Sequence, residues 1–353
     1  MPETIEQIIP GQQQIALVSA LAGLNRLDLA PDLASRMRSF LHEMSGKRLS
    51  GQAMTSLISA FNDLLTKKLI ALVAQNHHLP PVEWCWLALG SEGRHEQTFI
   101  TDQDNGLIFN ALDRREAEAM RSVFLPFAQE VNQHLADCGF KLCTGGIMAG
   151  NPAWCLSLDE WRSQFIDWVR RPEPTALLNA SIFFDLRPLY GDLALGEALR
   201  SLMLGLTGET SSFLHLMAAN ALQADVPLSF RGEIQVDDSG CLDLKKYGTR
   251  IFVDAARIFA LATGGAAVST CDRLKASAPA VGLVEAESAA VDAAFSHILR
   301  LRLEQQRVDQ IAGIGARYSI RVADLNEVDR AILRESLKQA RRLQLRLKLN
   351  YAL

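Results

Sequence analysis

The sequence predicts an α+β protein in which a small mixed sheet is flanked by an N-terminal helical region and a C-terminal helical bundle. Three observations lead there. Apolar residues recur at three-four spacing through the first 78 residues and again beyond about residue 195. Between these regions, short apolar runs bounded by proline and glycine have the length of strands. The 353 residues exceed the usual size of one domain about twofold, so a division into 1–78, 79–194 and 195–353 is expected.

Helices are expected first in QIALVSALAGLNRL, LASRMRSFLHEM and MTSLISAFNDLLTKKLIALVAQ, the last carrying Leu57, Phe61, Leu64, Leu65 and Ile70 on one stripe. Pro80 and Pro81 close this region, because proline cannot extend a helix and pushes its predecessor toward extended geometry. WCWLALGS then reads as a buried strand ending in a tight turn at Gly90, and DQDNGLIFNA as a second strand. Arg114 to Asp137 spell an amphipathic helix, with Pro126 inside it and Gly139 where a left-handed terminator belongs. FKLCTGGIMAG is read as the third strand, and NPAWCLSLDEWRSQFIDWV as a return to helix with Trp154, Trp161 and Trp168 packing in the core. Five periodic segments then predict the bundle, the last capped by Asp324 with Glu327 three residues on.

Composition narrows the function classes. Apolar residues at 48% and charged residues at 22% describe a folded globular chain and exclude collagenous and disordered classes. The net charge of −4 draws no polyanion, so nucleic acid is not an expected partner, and the basic final helix is read as a solvated face. No window has the length and apolarity of a membrane span, and MPETIEQIIP lacks the basic patch and apolar run of a secretion signal. Six cysteines without a C-x-x-C pair point to a reduced compartment, and the expected location is the cytoplasm.

Chemistry concentrates in LALGSEGRHEQTFITDQDNGLIF, residues 87–109. Asp102 and Asp104 are two apart, so in extended chain both carboxylates face one side. Hard divalent cations such as Mg2+ or Mn2+ take such oxygen ligands and leave room for water and phosphate. Gly90 permits close backbone approach to a phosphate, and the Ser91 hydroxyl adds a donor. A solvated acid pair at a strand end is the alternative for a D-x-D of this kind. His95, in the same stretch, reads as a solvent-facing loop histidine.

The ungapped run Gly90, Ser91, Gly93, Arg94, Glu96, Thr98, Asp102, Asp104, Asn105 resembles the DUF294 nucleotidyltransferase family. That family is related to the N-terminal domain of the protein-PII uridylyltransferases, within the DNA polymerase beta-like superfamily. More loosely, CTGGIMAGNPAW followed by SLDEWRSQFIDWV is similar to the closing part of the family's domain, FFDLRPLYGD to the segment joining that domain to the helices, and LDLKKYGTRIFVDAARIFAL to its C-terminal substrate-binding domain. The resemblance implies transfer of a nucleoside monophosphate from a nucleoside triphosphate to an acceptor hydroxyl, with Mg2+ or Mn2+ as cofactor and a regulatory protein as acceptor by analogy.

The resemblance also implies roles for particular residues. Asp102 and Asp104 hold the metal, and Gly90 and Ser91 the phosphates. Superfamily enzymes commonly place a third carboxylate on a later strand, yet FKLCTGGIMAG has no acid, which leaves Asp185 as the candidate. Arg187 beside it has the planar fork for a phosphate, against the alternative of a buried Asp-Arg pair at the domain junction. Arg94 either pairs with Glu96 to shape the loop or faces the triphosphate, and the phosphate contact is preferred. Lys245 is read as reaching the nucleotide, against an ordinary solvated cluster in DLKK. No His-Asp dipeptide occurs, so removal of the modification by this chain is not expected. A nucleotide-sensing module without catalysis is the main competing function, and a metal-dependent phosphodiesterase ranks last.

Overall fold

A computed structural model describes residues 11–47, 49–315 and 317–353, so the reading of MPETIEQIIP lies outside the described residues. The protein is α+β, and its chain divides into two compact units. One is built from described residues within 1–47, 55–167 and 182–203, and the other from those within 48–54, 168–181 and 204–353. The N-terminal helices thus share a compact unit with the sheet.

In the first unit, helices Gln12–Gly23 and Ala30–Ser45 and most of helix Gly51–Ala74 accompany a four-stranded sheet. Leu57, Phe61 and Leu65 of the third helix are buried along one stripe with Leu64 half-buried beside them, whereas Ile70, also buried, lies on the far side of the helix. The strands are β1 (Trp84–Ala88), β2 (Asn105–Phe109), β3 (Cys155–Ser157) and β4 (Arg187–Gly191), in the order β3-β2-β1-β4. β1 runs antiparallel to both β2 and β4, while β2 and β3 are parallel. β2 is buried throughout, which explains why Leu107, Ile108 and Phe109 follow one another without polar alternation.

Helix Arg114–Asp137 is capped by Asp113, whose carboxylate accepts from the Glu116 N–H at 2.8 Å. It passes through Pro126 and buries Phe124, Phe127, Val131 and Leu135. Its end is a left-handed terminator: Gly139 has φ +95°, and the Phe140 N–H donates to Leu135 O at 3.0 Å.

Several expected elements fall elsewhere. FKLCTGGIMAG is a loop apart from one bridge at Lys141, because Gly146 at φ +67° turns the chain. The third strand is Cys155–Ser157, inside the stretch read as helix. Three residues are too few to carry a period, and the preceding 3-10 turn Pro152–Trp154, capped by Asn151, resets the direction. β4 lies in FFDLRPLYGD, read only as a junction. Gly90 opens a one-turn helix, Gly90–Gly93, and the final helix Glu327–Tyr351 is capped by Asn326, not Asp324.

The second unit contains helices Ser211–Ala221, Arg250–Ala262, Thr270–Val281, Glu285–Ile311 and Glu327–Tyr351, with a two-stranded sheet of Cys241–Asp243 and Ser319–Arg321. Every residue from Ile251 to Leu261 is buried, which makes that helix the unit's core. Among the described residues no helix is long and apolar enough to cross a membrane.

Trp161 closes the β3 side of the first unit. It is fully buried, donates its indole N–H to Leu107 O of β2 at 3.0 Å, and packs on Trp154 and Phe183. Trp161→Ala is expected to cost about 3–5 kcal/mol of stability, measured by urea unfolding. A loss below about 1 kcal/mol contradicts this packing.

Candidate active site

The site is built where β1 ends and the segment before β2 begins. The Leu89 N–H donates to Asp104 O at 2.9 Å, which ties the two chain segments together beside Gly90. Gly90 has φ +52°, a conformation that favours glycine, and a Cβ placed on it would stand 2.8 Å from Asp104 Oδ2. The Asp104 carboxylate therefore lies directly against the glycine. The Ser91 hydroxyl, next in the chain, is half-buried and makes no hydrogen bond among the described residues.

Asp102 forms an isolated bridge and Asn105 opens β2, so the alternation of a strand is applied to the residues between them. The Gln103 N–H donates to Lys141 O at 2.8 Å and the Asn105 N–H to Ile147 O at 3.1 Å. Gln103 and Asn105 are both 1% exposed and turn inward. There the Gln103 amide donates to Asn132 O and Phe140 O, and the Asn132 amide donates to Gln103 Oε1 and Asn105 Oδ1. The backbone N–H groups of Ala149 and Gly150 donate to Asn105 Oδ1 and Asn132 Oδ1. With the odd positions inward, Asp102 and Asp104 face the other side. Both are half-buried, and the Asp102 carboxylate makes no hydrogen bond or ion pair among the described residues.

Arg94, Asp185 and Arg187 come to the same turn but are engaged in holding it. Arg94 donates from Nε to Glu96 Oε2 at 2.8 Å and from Nη1 to Asp185 Oδ2, so the loop-shaping alternative is the arrangement present. Asp185 is fully buried, and its carbonyl sits so close to Gly93 that a Cβ there would meet it at 1.9 Å. Arg187 donates to Asp63 Oδ1 at 2.8 Å, to Glu92 O at 3.1 Å and to Gly93 O at 3.3 Å. Lys245 belongs to the second unit, where it is exposed with its ammonium 4.6 Å from the Tyr318 ring centroid.

Two titratable neighbours of the turn, Asp63 and Glu92, escaped the sequence reading, and a third, His95, stands otherwise than expected. Asp63 projects from helix Gly51–Ala74, and the buried Ser59, Asp63 and Thr66 at helical spacing are the signal that marks this polar face. Glu92 is buried, and its carboxyl is pushed up to about 8 by burial, then by the charges of Asp63 and Asp104, with Arg187 acting in the opposite direction. His95 is half-buried, not solvent-facing, and adopts φ +59°, 3.8 Å from Asp63. Burial and then Arg187 depress it to about 4.

The donor set fits a hard divalent ion. Two outward carboxylates offer only oxygen, and Mg2+ commonly takes one or two carboxylates and completes its shell with water and phosphate. Among the described residues no group of three or more His, Cys, Asp or Glu stands together as a metal cluster, so the pair alone carries the fit.

Comparison with protein families decides the lineage. Residues 35–175 match the model described as Putative nucleotidyltransferase DUF294, and residues 211–351 match that of the Putative nucleotidyltransferase substrate binding domain. The chain belongs to the DUF294 family. No curated protein matches it. The first DUF294 match contains Asp63, the Gly90 turn, Asp102, Asp104 and Asn132, whereas Asp185 and Arg187 lie between the two matched segments. Family membership supports nucleotidyl transfer as the general activity, with a nucleotide as substrate.

The Glu92 carboxyl gives a pH test. Its folded value stands above the ordinary 4.5, so the folded chain keeps a proton that the unfolded chain releases. This stabilisation is full at low pH and is lost as pH rises from about 4.5 to about 8. His95 acts oppositely, its contribution fading as pH falls from 6.5 to about 4. Between about pH 6.5 and 8 the Glu92 effect prevails, so the melting temperature of the wild type, measured in a chelator, is expected to fall relative to that of Glu92→Gln. Parallel curves contradict the assignment.

Proposed function

We propose that this protein is a Mg2+-dependent nucleotidyltransferase that moves a nucleoside monophosphate from a nucleoside triphosphate to an acceptor hydroxyl. The observation that carries this reading is the placement of the Asp104 carboxylate against Gly90, with Asp102 on the same outward side. Phosphate-binding turn and metal-binding acids then meet at one edge. The acceptor oxygen bonds to the α-phosphorus as the bond to the β-phosphate oxygen breaks. Pyrophosphate leaves, and the acceptor's proton passes to water at the half-exposed edge.

The chain's own groups position the reactants. Gly90 lets the Asp104 carboxylate pack against the turn where a side chain would collide with it, and the Ser91 hydroxyl beside it would donate to a phosphate oxygen. Asp102 and Asp104 would hold the ion, which neutralises charge on the phosphate oxygens when bound. Arg94, Asp185, Glu96, Asp63 and Arg187 keep the turn in shape, and in this reading Asp185 is a positioning residue. Resemblance to the uridylyltransferases makes a hydroxyl on a regulatory protein the preferred acceptor class, and the base is left to the experiment.

A second reading, nucleotide sensing without transfer, is favoured by one observation: the acid expected to activate the acceptor is buried in an ion pair with Arg94. The two readings part cleanly. Each of four α-labelled nucleoside triphosphates is incubated with the protein, Mg2+ or Mn2+, and candidate acceptor proteins. Label transfer is expected, with a loss of at least about 100-fold in the Asp102→Asn, Asp104→Asn double variant. Tight nucleotide binding with no transfer to any acceptor establishes the sensor instead.

A further inference from the structure

We propose that Lys141 holds the triphosphate tail at the Asp102–Asp104 edge, an assignment that rests on the nucleotidyl-transfer reading. The Lys141 N–H donates to Thr101 O at 3.2 Å, and Lys141 O accepts from the Gln103 N–H at 2.8 Å. These two bonds make Lys141 the parallel bridge partner of Asp102. Facing residues on neighbouring extended segments lie roughly 4.8 Å apart and project to the same side. Phe140, the preceding residue, is 6% exposed and turned inward with Gln103. Lys141 must then project outward with Asp102, and two residues further the Cys143 thiol lies beside the Asp104 carboxylate.

Charge supports the same assignment. A triphosphate brought to two carboxylates needs cations beyond a single divalent ion. Arg94 is committed to Glu96 and Asp185, and Arg187 to Asp63. Lys141 is exposed, and among the described residues its ammonium makes no hydrogen bond or ion pair, Asp102 included. A lysine is a point charge on a flexible stem, suited to following a phosphate chain, and needs no fixed fork geometry.

The test uses the full chain and a probe without a base, inorganic tripolyphosphate with Mg2+, by calorimetric titration. The wild type is expected to bind it, Lys141→Ala to bind about tenfold more weakly, Lys141→Glu more weakly still, and Lys141→Arg nearly as the wild type. Melting temperatures should stay together, since the side chain is exposed and its backbone bonds survive substitution. The bound nucleoside triphosphate should show the same loss, whereas the nucleoside monophosphate should bind all variants alike. Equal tripolyphosphate affinity in wild type and Lys141→Ala overturns the role of Lys141 alone. A wild type that binds neither tripolyphosphate nor any nucleoside triphosphate overturns the functional reading and Lys141 with it.

Discussion

Three buried amides set the direction of the candidate site. Asn132 comes from a helix, Gln103 and Asn105 from the extended segment before and at the start of β2, and each amide satisfies the others or a nearby backbone group. A buried amide left unpaired costs about 1–3 kcal/mol, so this closed arrangement fixes which side of the segment is inside. A shift of one residue would bury Asp102 and Asp104 and expose the amides. Uncharged groups on one side thus decide where charged groups stand on the other.

The turn opposite is kept rigid by charge. Arg187 reaches two carbonyls of the Gly90–Gly93 turn while pairing with Asp63, and Arg94 bridges Glu96 and buried Asp185. Guanidinium groups suit this task because one planar fork serves several acceptors at once. Glu92, raised to about 8 by burial and by its acidic neighbours, is mostly protonated near neutrality. The cluster behind the turn therefore adds little negative charge to an edge that already carries two carboxylates. In the reading proposed here, function is confined to the outward groups, and the inward ones maintain shape.

Much of this was legible in the sequence, and the reasons for the rest are physical. The two-residue spacing of Asp102 and Asp104 predicts a shared side wherever the chain is extended, and a short apolar strand before Gly90 predicts a turn beside them. Helices long enough to show a period were also readable, including the stripe through Leu57 and Phe61 and the terminator at Gly139. The three-residue strand Cys155–Ser157 was not, because no period fits in three residues. The partnerships of Asp63 with Arg187 and of Arg94 with Asp185 join residues roughly 90 to 125 positions apart, which local pattern cannot report. Glu92 reads as one more polar loop residue until burial shows otherwise.

The central claim is that the side of the segment opposite Gln103 and Asn105 receives a divalent ion and a triphosphate together. It is tested most directly by a crystal structure with Mn2+ and a nucleoside triphosphate analogue whose α–β bridge resists cleavage. The account predicts an anomalous peak within coordination distance of both Asp102 and Asp104, with the phosphates running over Gly90 and Ser91. Manganese bound elsewhere, or phosphates seated away from that turn, would contradict it.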